Sequence, residues 1–368
     1  MVTGSARHEV LAVPPVPARR PGAVCRVVDK VLEATVVGSF SRLGPAARRR
    51  CEGWTDPPGL EGTTAVVTGA TSGVGLACAV GLARLGAVVH LVGRDPGRLD
   101  VATAAVAAAA GVPTAAVPSS VTDLADLDQV RALAAAVAAR HRHVDVLVHD
   151  AGALTRRLVT TPNGAELTAG VQLLAPFLLT GLLLPALTAA PGRARVLTVS
   201  SGGLYGARFS LAGLRPDPDA YDGVATYALV KRAQLLLVHE WARRLGPDGP
   251  AFHAMHPGWV DTPGLAAGLP GFTRVMRPLL RAPADGADTV VWLAAAPEGA
   301  ASTGGFWHDR HRRGEHRLLT TWLAPRRFDQ ARAALWAWCA EETRWDLDRP
   351  VGPPRDPPSG RPAVTTSR

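Results

Sequence analysis

Ala65-Val66-Val67-Thr68-Gly69-Ala70-Thr71-Ser72-Gly73-Val74-Gly75 decides how this chain folds: four apolar or β-branched residues run into a glycine-rich turn, and a helical pattern follows. Apolar residues without polar alternation suit a strand buried on both faces of a parallel sheet. Glycines in the turn let the backbone come close to a pyrophosphate, and the helix N-terminus beyond it offers unpaired N–H groups and the positive end of a dipole. Gly69, Thr71, Ser72, Gly73, Val74 and Gly75 are therefore candidate contacts of a dinucleotide. A glycine-rich turn alone is a weak signal; its place directly after the first buried strand of an alternating series gives it weight.

That series extends downstream. Strand candidates fall at 65–68, 87–92, 114–117, 144–149, 195–200, 252–256 and 305–307, with helical patterns between them. The rhythm predicts an α/β domain, a doubly wound parallel sheet over residues 59–325, with ligands beyond the carboxyl ends of the strands. A helix follows at 326–346. Residues 1–22 and 347–368, rich in Pro and Arg, read as a disordered arm and tail. Between arm and domain, residues 23–58 form an N-terminal helical extension, because Val27, Val28, Val31, Leu32 and Val36 recur near a 3.6 period around Asp29, Lys30 and Glu33. This amphipathic helix either packs on the domain or makes peripheral contact with a membrane, the second option resting on the basic run Arg48, Arg49, Arg50 nearby.

Composition narrows the partners. Net charge is +9, but arginine supplies nearly all of the 40 basic residues, and that bias weakens any nucleic-acid reading; none is expected to bind. No run of eighteen apolar residues and no signal-peptide pattern is present, which predicts a soluble, cytoplasmic protein. Cys25, Cys51, Cys78 and Cys339 are widely spaced and read as reduced structural thiols. His308, His311 and His316 stand among arginines without carboxylate or cysteine ligands at a recurring spacing, so no metal is expected and a solvated basic loop is predicted.

The chemical signal is Tyr227 and Lys231. Only three tyrosines and two lysines occur in 368 residues, and one of each stands one helical turn apart, on one face. A phenol beside an ammonium is a proton donor tuned toward neutral pH.

Thr68-Gly-x-x-x-Gly-x-Gly75 with Tyr227 and Lys231 downstream resembles the short-chain dehydrogenase/reductase family over about residues 60–320. The resemblance implies a single Rossmann-type domain and catalysis by hydride transfer with a nicotinamide cofactor. It implies that Ser201, second of the pair ending the strand at 195–200, hydrogen-bonds the substrate oxygen while Tyr227 transfers the proton. Lys231 would depress the phenol pKa and hold the nicotinamide ribose. Asp123 matches the acidic residue near the adenine, and Pro257, Gly258 and Thr262 match the segment contacting the nicotinamide amide. Arg94, just past the second strand, tilts the cofactor toward NADP(H) because an arginine can pair with a 2′-phosphate; NAD(H) stays open, since Asp95 is adjacent.

Two departures stand out. His149-Asp150-Ala151-Gly152 replaces the family's Asn-Asn-Ala-Gly, and Gln172 stands where an asparagine usually holds a water of the proton relay. They motivate a rival reading, a dinucleotide-binding regulator with weak or no turnover. The segment 202–226, with Tyr205, Tyr221 and Asp222, is expected to wall the substrate cleft. The resemblance implies that residues 263–282, carrying Leu265, Leu269, Phe272, Val275, Met276, Leu279 and Leu280 with Arg274, Arg277 and Arg281, form the substrate lid, which favours a hydrophobic carbonyl compound or alcohol, an acidic end being an option; ordinary helix packing accounts for the same residues equally well. By analogy with the family a homo-oligomer is expected. Tyr221-Asp-Gly, Met255-His-Pro-Gly-Trp and Phe306-Trp-His-Asp-Arg310 resemble one subgroup of the family in particular.

Overall fold

The computed structural model describes residues 22–317 and 325–348; residues 1–21 of the expected arm and 349–368 of the expected tail lie outside the described residues. Its centre is an eight-stranded sheet of β1 (Thr64–Thr68), β2 (Val88–Gly93), β3 (Ser119–Val121), β4 (Val146–His149), β5 (Arg195–Val199), β6 (Ala251–Met255), β7 (Gly305–His308) and β8 (His311–Arg312). The order is β3-β2-β1-β4-β5-β6-β7-β8, parallel throughout except for the antiparallel β7–β8 pair. The chain reverses direction of winding between β3 and β4, and the crevice at that switch point lies above β1 and β4.

The strand expected at 114–117 is instead a 3-10 turn, Thr114–Ala116. Pro118 has no N–H to give a ladder, so pairing opens with its carbonyl accepting from Leu91 N at 2.9 Å and runs on as β3. The two-residue β8 is too short to leave a period in the sequence.

Helices in chain order are α1 (Ala23–Ala34), α2 (Val36–Phe40), α3 (Leu43–Glu52), α4 (Gly73–Arg84), α5 (Pro96–Ala110), α6 (Leu127–Arg140), α7 (Leu167–Ala169), α8 (Ala175–Thr188), α9 (Gly223–Leu245), α10 (Pro263–Gly268), α11 (Pro270–Met276), α12 (Pro283–Ala295), α13 (Pro297–Ala301) and α14 (Pro325–Thr343). Strand residues alternate between the two faces. Ala65, Val67, Val146, Val148 and Leu197 pack with α4, α5 and α12, while Val66, Leu147, Val196 and Phe252 pack with α6, α8 and α9. The run Leu167–Thr188 is long and apolar enough to cross a membrane, but 72% of its most apolar window is buried within the protein, and it is a core helix.

α14 lies on the α9 side. Trp336 and Trp345 pack edge-on or tilted against Phe177 of α8 and Trp241 of α9, with ring centroids 4.7–5.7 Å apart. The N-terminal extension is clamped to the sheet end by charge. Arg48 of α3 is fully buried and pairs with Asp29 and Glu33 of α1 and with Asp309, which Arg281 also holds at 2.6 Å. His308 is buried beside them and stacks on His256 at 3.9 Å, so the expected solvated loop is a packed edge. Among the described residues no cluster of three or more His, Cys, Asp or Glu side chains is arranged to hold a metal ion. Cys25 and Cys51 are joined in a disulfide linking α1 to α3, which corrects the reading of four reduced thiols; their 26-residue separation gave no pairing signal. Cys78 and Cys339 are free and buried.

Candidate active site

Along the carboxyl ends of β1, β2, β4, β5 and β6 runs one cavity of about 540 Å³. Gly69, Thr71, Ser72, Gly73, Val74, Arg94, Asp123, Asp150, Ala151, Gly152, Gln172, Ser201, Tyr227, Lys231, Pro257, Gly258 and Thr262 all line it. Sequence positions almost two hundred residues apart thus converge on one crevice.

Gly75 is the exception. It lies behind the turn, where a Cβ would strike the Gly69 carbonyl and sit 2.5 Å from Asp150 Oδ2. Lacking a side chain, it allows the close approach of α4 to the strand ends, with its N–H serving the Asp150 carboxylate, and it does not line the cavity. At the other end Asp95 caps α5, its Oδ1 accepting from Arg98 N at 2.8 Å, and it does not line the cavity. Arg94 and Arg98 do. Arg98 was missed in the sequence, although it stands four residues after Arg94, in the first turn of α5. Asp123 keeps its carboxylate on the Ala125 N–H at 3.0 Å, which shapes the cavity-lining turn at Thr122–Leu124.

β5 and α9 carry the reactive side chains. Lys231 Nζ donates to the Val199 carbonyl at 2.9 Å, and Ser200 Oγ donates to the Lys231 carbonyl at 3.1 Å, so the strand end grips the helix. Lys231 Nζ lies 5.4 Å from the Tyr227 ring centroid. The Tyr227 phenol hydrogen-bonds to Ser201. Asp222 caps α9, accepting from Val224 N and Ala225 N at 2.9 and 3.1 Å, and so sets the register that aims Tyr227 and Lys231 inward.

Electrostatics departs from the expected depression of the phenol. Burial and the nearby Asp150 charge push Tyr227 up to about 12, against the Ser201 hydrogen bond that favours ionisation. Burial brings Lys231 down to about 7, with Asp150 pulling the other way. Asp150 itself rises to about 7 because burial outweighs Lys231 and the Gly75 N–H. The carboxyl that replaces an asparagine thus makes a second titrating group beside the lysine. His149 is held neutral by burial, its pKa near 3, and it turns away from the cavity to Thr180 Oγ1 at 2.8 Å.

Gln172 sits in a π turn, Gly170–Leu174, a local irregularity of a kind that recurs at functional sites. Its Nε2 donates to the Ala153 carbonyl at 2.8 Å, its own carbonyl accepts from Gln234 Nε2 at 3.0 Å, and its Oε1 has no partner among the described residues. Part of the lining is apolar, with Leu154, Val171, Trp259, Leu265, Leu269 and Phe272, and Trp259 meets Phe272 edge-on at 5.1 Å. Only part of the expected lid participates, since Val275 is exposed and Arg281 turns into the buried ion network. Of the wall expected from residues 202–226, Gly203 and Val224 line the cavity, while Tyr205, Tyr221 and Asp222 do not. Tyr205 packs beside Phe40 and donates to the Gly314 carbonyl, while Tyr221 donates to Glu166 at 3.0 Å.

Phe40, from outside the sheet domain, is a neighbour that sequence reading could not supply. Its ring lies 4.3 Å from that of His256, and a Cβ on Gly202 would come within 2.5 Å of it. Its carbonyl accepts from Trp259 N at 2.8 Å. The extension is therefore wedged between the loop bearing Ser201 and the loop Pro257–Trp259.

A parallel sheet in this order, a glycine-rich turn after β1, and serine, tyrosine and lysine at the ends of β5 and α9 define a nicotinamide-dependent oxidoreductase class. A family model described as Enoyl-(Acyl carrier protein) reductase matches residues 69–305, and the chain belongs to the short-chain dehydrogenase/reductase family as an NAD(P)-dependent oxidoreductase. Among its relatives is cattle Dehydrogenase/reductase SDR family member 12, 36% identical over 68% of this chain and 78% of the relative. Mouse Retinol dehydrogenase 14 is 32% identical over 77% of this chain and 90% of the relative. L-Sorbose reductase from Gluconobacter frateurii, solved with NADPH and L-sorbose, shares the fold with a TM-score of 0.56 at 23% identity, over 69% of this chain and 96% of that one.

Proposed function

We propose that this oxidoreductase interconverts an apolar carbonyl compound and its alcohol with NADP(H). The observation that carries the reading is the convergence of Ser201, Tyr227 and Lys231 on one cavity whose far end is lined by Arg94 and Arg98 and whose near end is apolar. Asp95, the residue that would otherwise favour a 2′-hydroxyl, is occupied capping α5, so two guanidinium groups are left to meet a 2′-phosphate. The glycine turn and the N–H groups opening α4 suit the pyrophosphate. Bound NADP(H) supplies the hydride chemistry.

This chain's residues handle the proton. Ser201 donates to the substrate oxygen, and Tyr227 gives that oxygen its proton during reduction or takes it during oxidation. Lys231 steadies the charge that develops on the phenol, and Gln172 Oε1 offers an acceptor for a relay water. Trp259, Phe272 and Leu269 exclude bulk water from the reacting carbon and select apolar substrates.

The test follows NADPH absorbance with a panel of retinoid, aromatic and aliphatic aldehydes and ketones. Turnover in the wild type, absent in Tyr227→Phe, is expected. An Arg94→Ala/Arg98→Ala double variant should lose about tenfold or more in kcat/KM with NADPH and little with NADH. NADPH binding without turnover in any well would reassign the chain as a dinucleotide-binding regulator.

A further inference from the structure

Helix α1 is amphipathic in the inverse sense for a helix docked on a soluble domain. Its acids face inward: Asp29 and Glu33, one turn apart, hold Arg48, Arg313 and Arg317 at 2.7–2.8 Å. Its valines face outward: Val24, Val27 and Val31, spaced to share a face, are 73%, 60% and 60% exposed. Val36, Val37 and Leu43 continue the exposed apolar residues through α2 into α3. An apolar stripe kept in water gains nothing from folding and points to a partner.

The surrounding charge identifies that partner's chemistry. Asp29 and Glu33 are the only acids in residues 23–50, and both are engaged by arginines, so the exposed charges around the stripe, Lys30, Arg42 and Arg50 among them, are cationic. The lid repeats the pattern. Residues 263–281 contain no acid, Val275 is 76% exposed, and Arg274 and Arg277 flank it in the open. The two segments adjoin, with Arg42 N donating to the Leu279 carbonyl at 2.9 Å. The other face of this lid contributes Leu265, Leu269 and Phe272 to the cavity.

We propose that the outer face of α1–α2, with the lid tip at Val275, is a peripheral docking surface for an anionic lipid bilayer. The valines enter the acyl boundary and the flanking lysine and arginines meet the headgroup charge. Such docking sets the lid at the bilayer surface, where apolar compounds concentrate; it does not depend on which substrate or cofactor the active site takes.

Flotation of the full chain with vesicles tests this, using phosphatidylcholine alone or phosphatidylcholine mixed with phosphatidylserine. Expected are flotation with the mixed vesicles, far less with phosphatidylcholine alone, and release at high salt. Val27→Asp/Val31→Asp should cut the bound fraction at least about tenfold while NADPH binding and the thermal midpoint hold. Should that variant not fold, Lys30→Glu/Arg277→Glu, altering only exposed side chains, should weaken partitioning about fivefold or more per residue. Three results would overturn the proposal: no flotation with the serine lipid, flotation of folded Val27→Asp/Val31→Asp or Lys30→Glu/Arg277→Glu equal to wild type, or light scattering showing a dimer that the aspartates dissolve, which would give the face to a second copy.

Discussion

At the scale of single residues the site turns on three titrating groups in low-dielectric surroundings. Tyr227→Phe removes the phenolic hydroxyl, and with it the transferable proton and the bond to Ser201, so kcat/KM should fall by about 100-fold or more while NADPH affinity, read by fluorescence titration, stays unchanged. Asp150 gives a pH signature. Its carboxyl rises from an ordinary 3.8 to about 7 on folding. The native state therefore holds a proton that the unfolded chain has released, and this contribution to stability is present at low pH and is lost as pH climbs from about 4 to about 7. Asp150→Asn cannot lose it. The thermal midpoint of Asp150→Asn minus that of wild type should increase across that window, and a flat difference would refute the assignment. Both residues were visible in the sequence, Tyr227 by rarity and spacing and Asp150 as a departure from a pattern. Their titration was not, because desolvation depends on what surrounds a group and not on its neighbours in the chain.

Among the elements, strands and the glycine turn were legible because local pattern dictates them: buried parallel strands read as apolar runs, and the turn follows at a fixed place. The 3-10 turn at Thr114–Ala116 and the two-residue β8 lacked such a period. That the leading helix packs on the domain was expected from its period, but the contacts that dock α1–α3 were illegible for another reason. Central to them is Arg48, which the sequence offers as one of three consecutive arginines and which only the fold distinguishes as buried. Arg48→Ala leaves Asp309 short of a buried partner and should cost about 3–5 kcal/mol in denaturant unfolding. Phe40→Ala empties the wedge between the Ser201 and Pro257 loops. It should lower kcat more than it raises KM, and Phe40→Leu should recover part of the loss, because an apolar filler keeps the two loops apart.

On the scale of the whole molecule, α14 closes the α8–α9 side with a tryptophan cluster whose members come from positions 241, 336 and 345. Trp336→Ala should destabilise by about 3–5 kcal/mol in the same unfolding assay, with little change in KM, since the cluster sits away from the cavity. The sequence marked α14 as a helix but could not assign its partner, as contacts across a hundred residues leave no local trace. Gly202 has a wider implication. With only hydrogen where other residues carry a methyl, it admits an aromatic ring contributed from before the sheet begins. A chimera that transplants residues 59–325 alone would expose a ring-sized hollow beside the serine, so protein engineers exchanging active-site halves between relatives should carry the leading helices across as one piece.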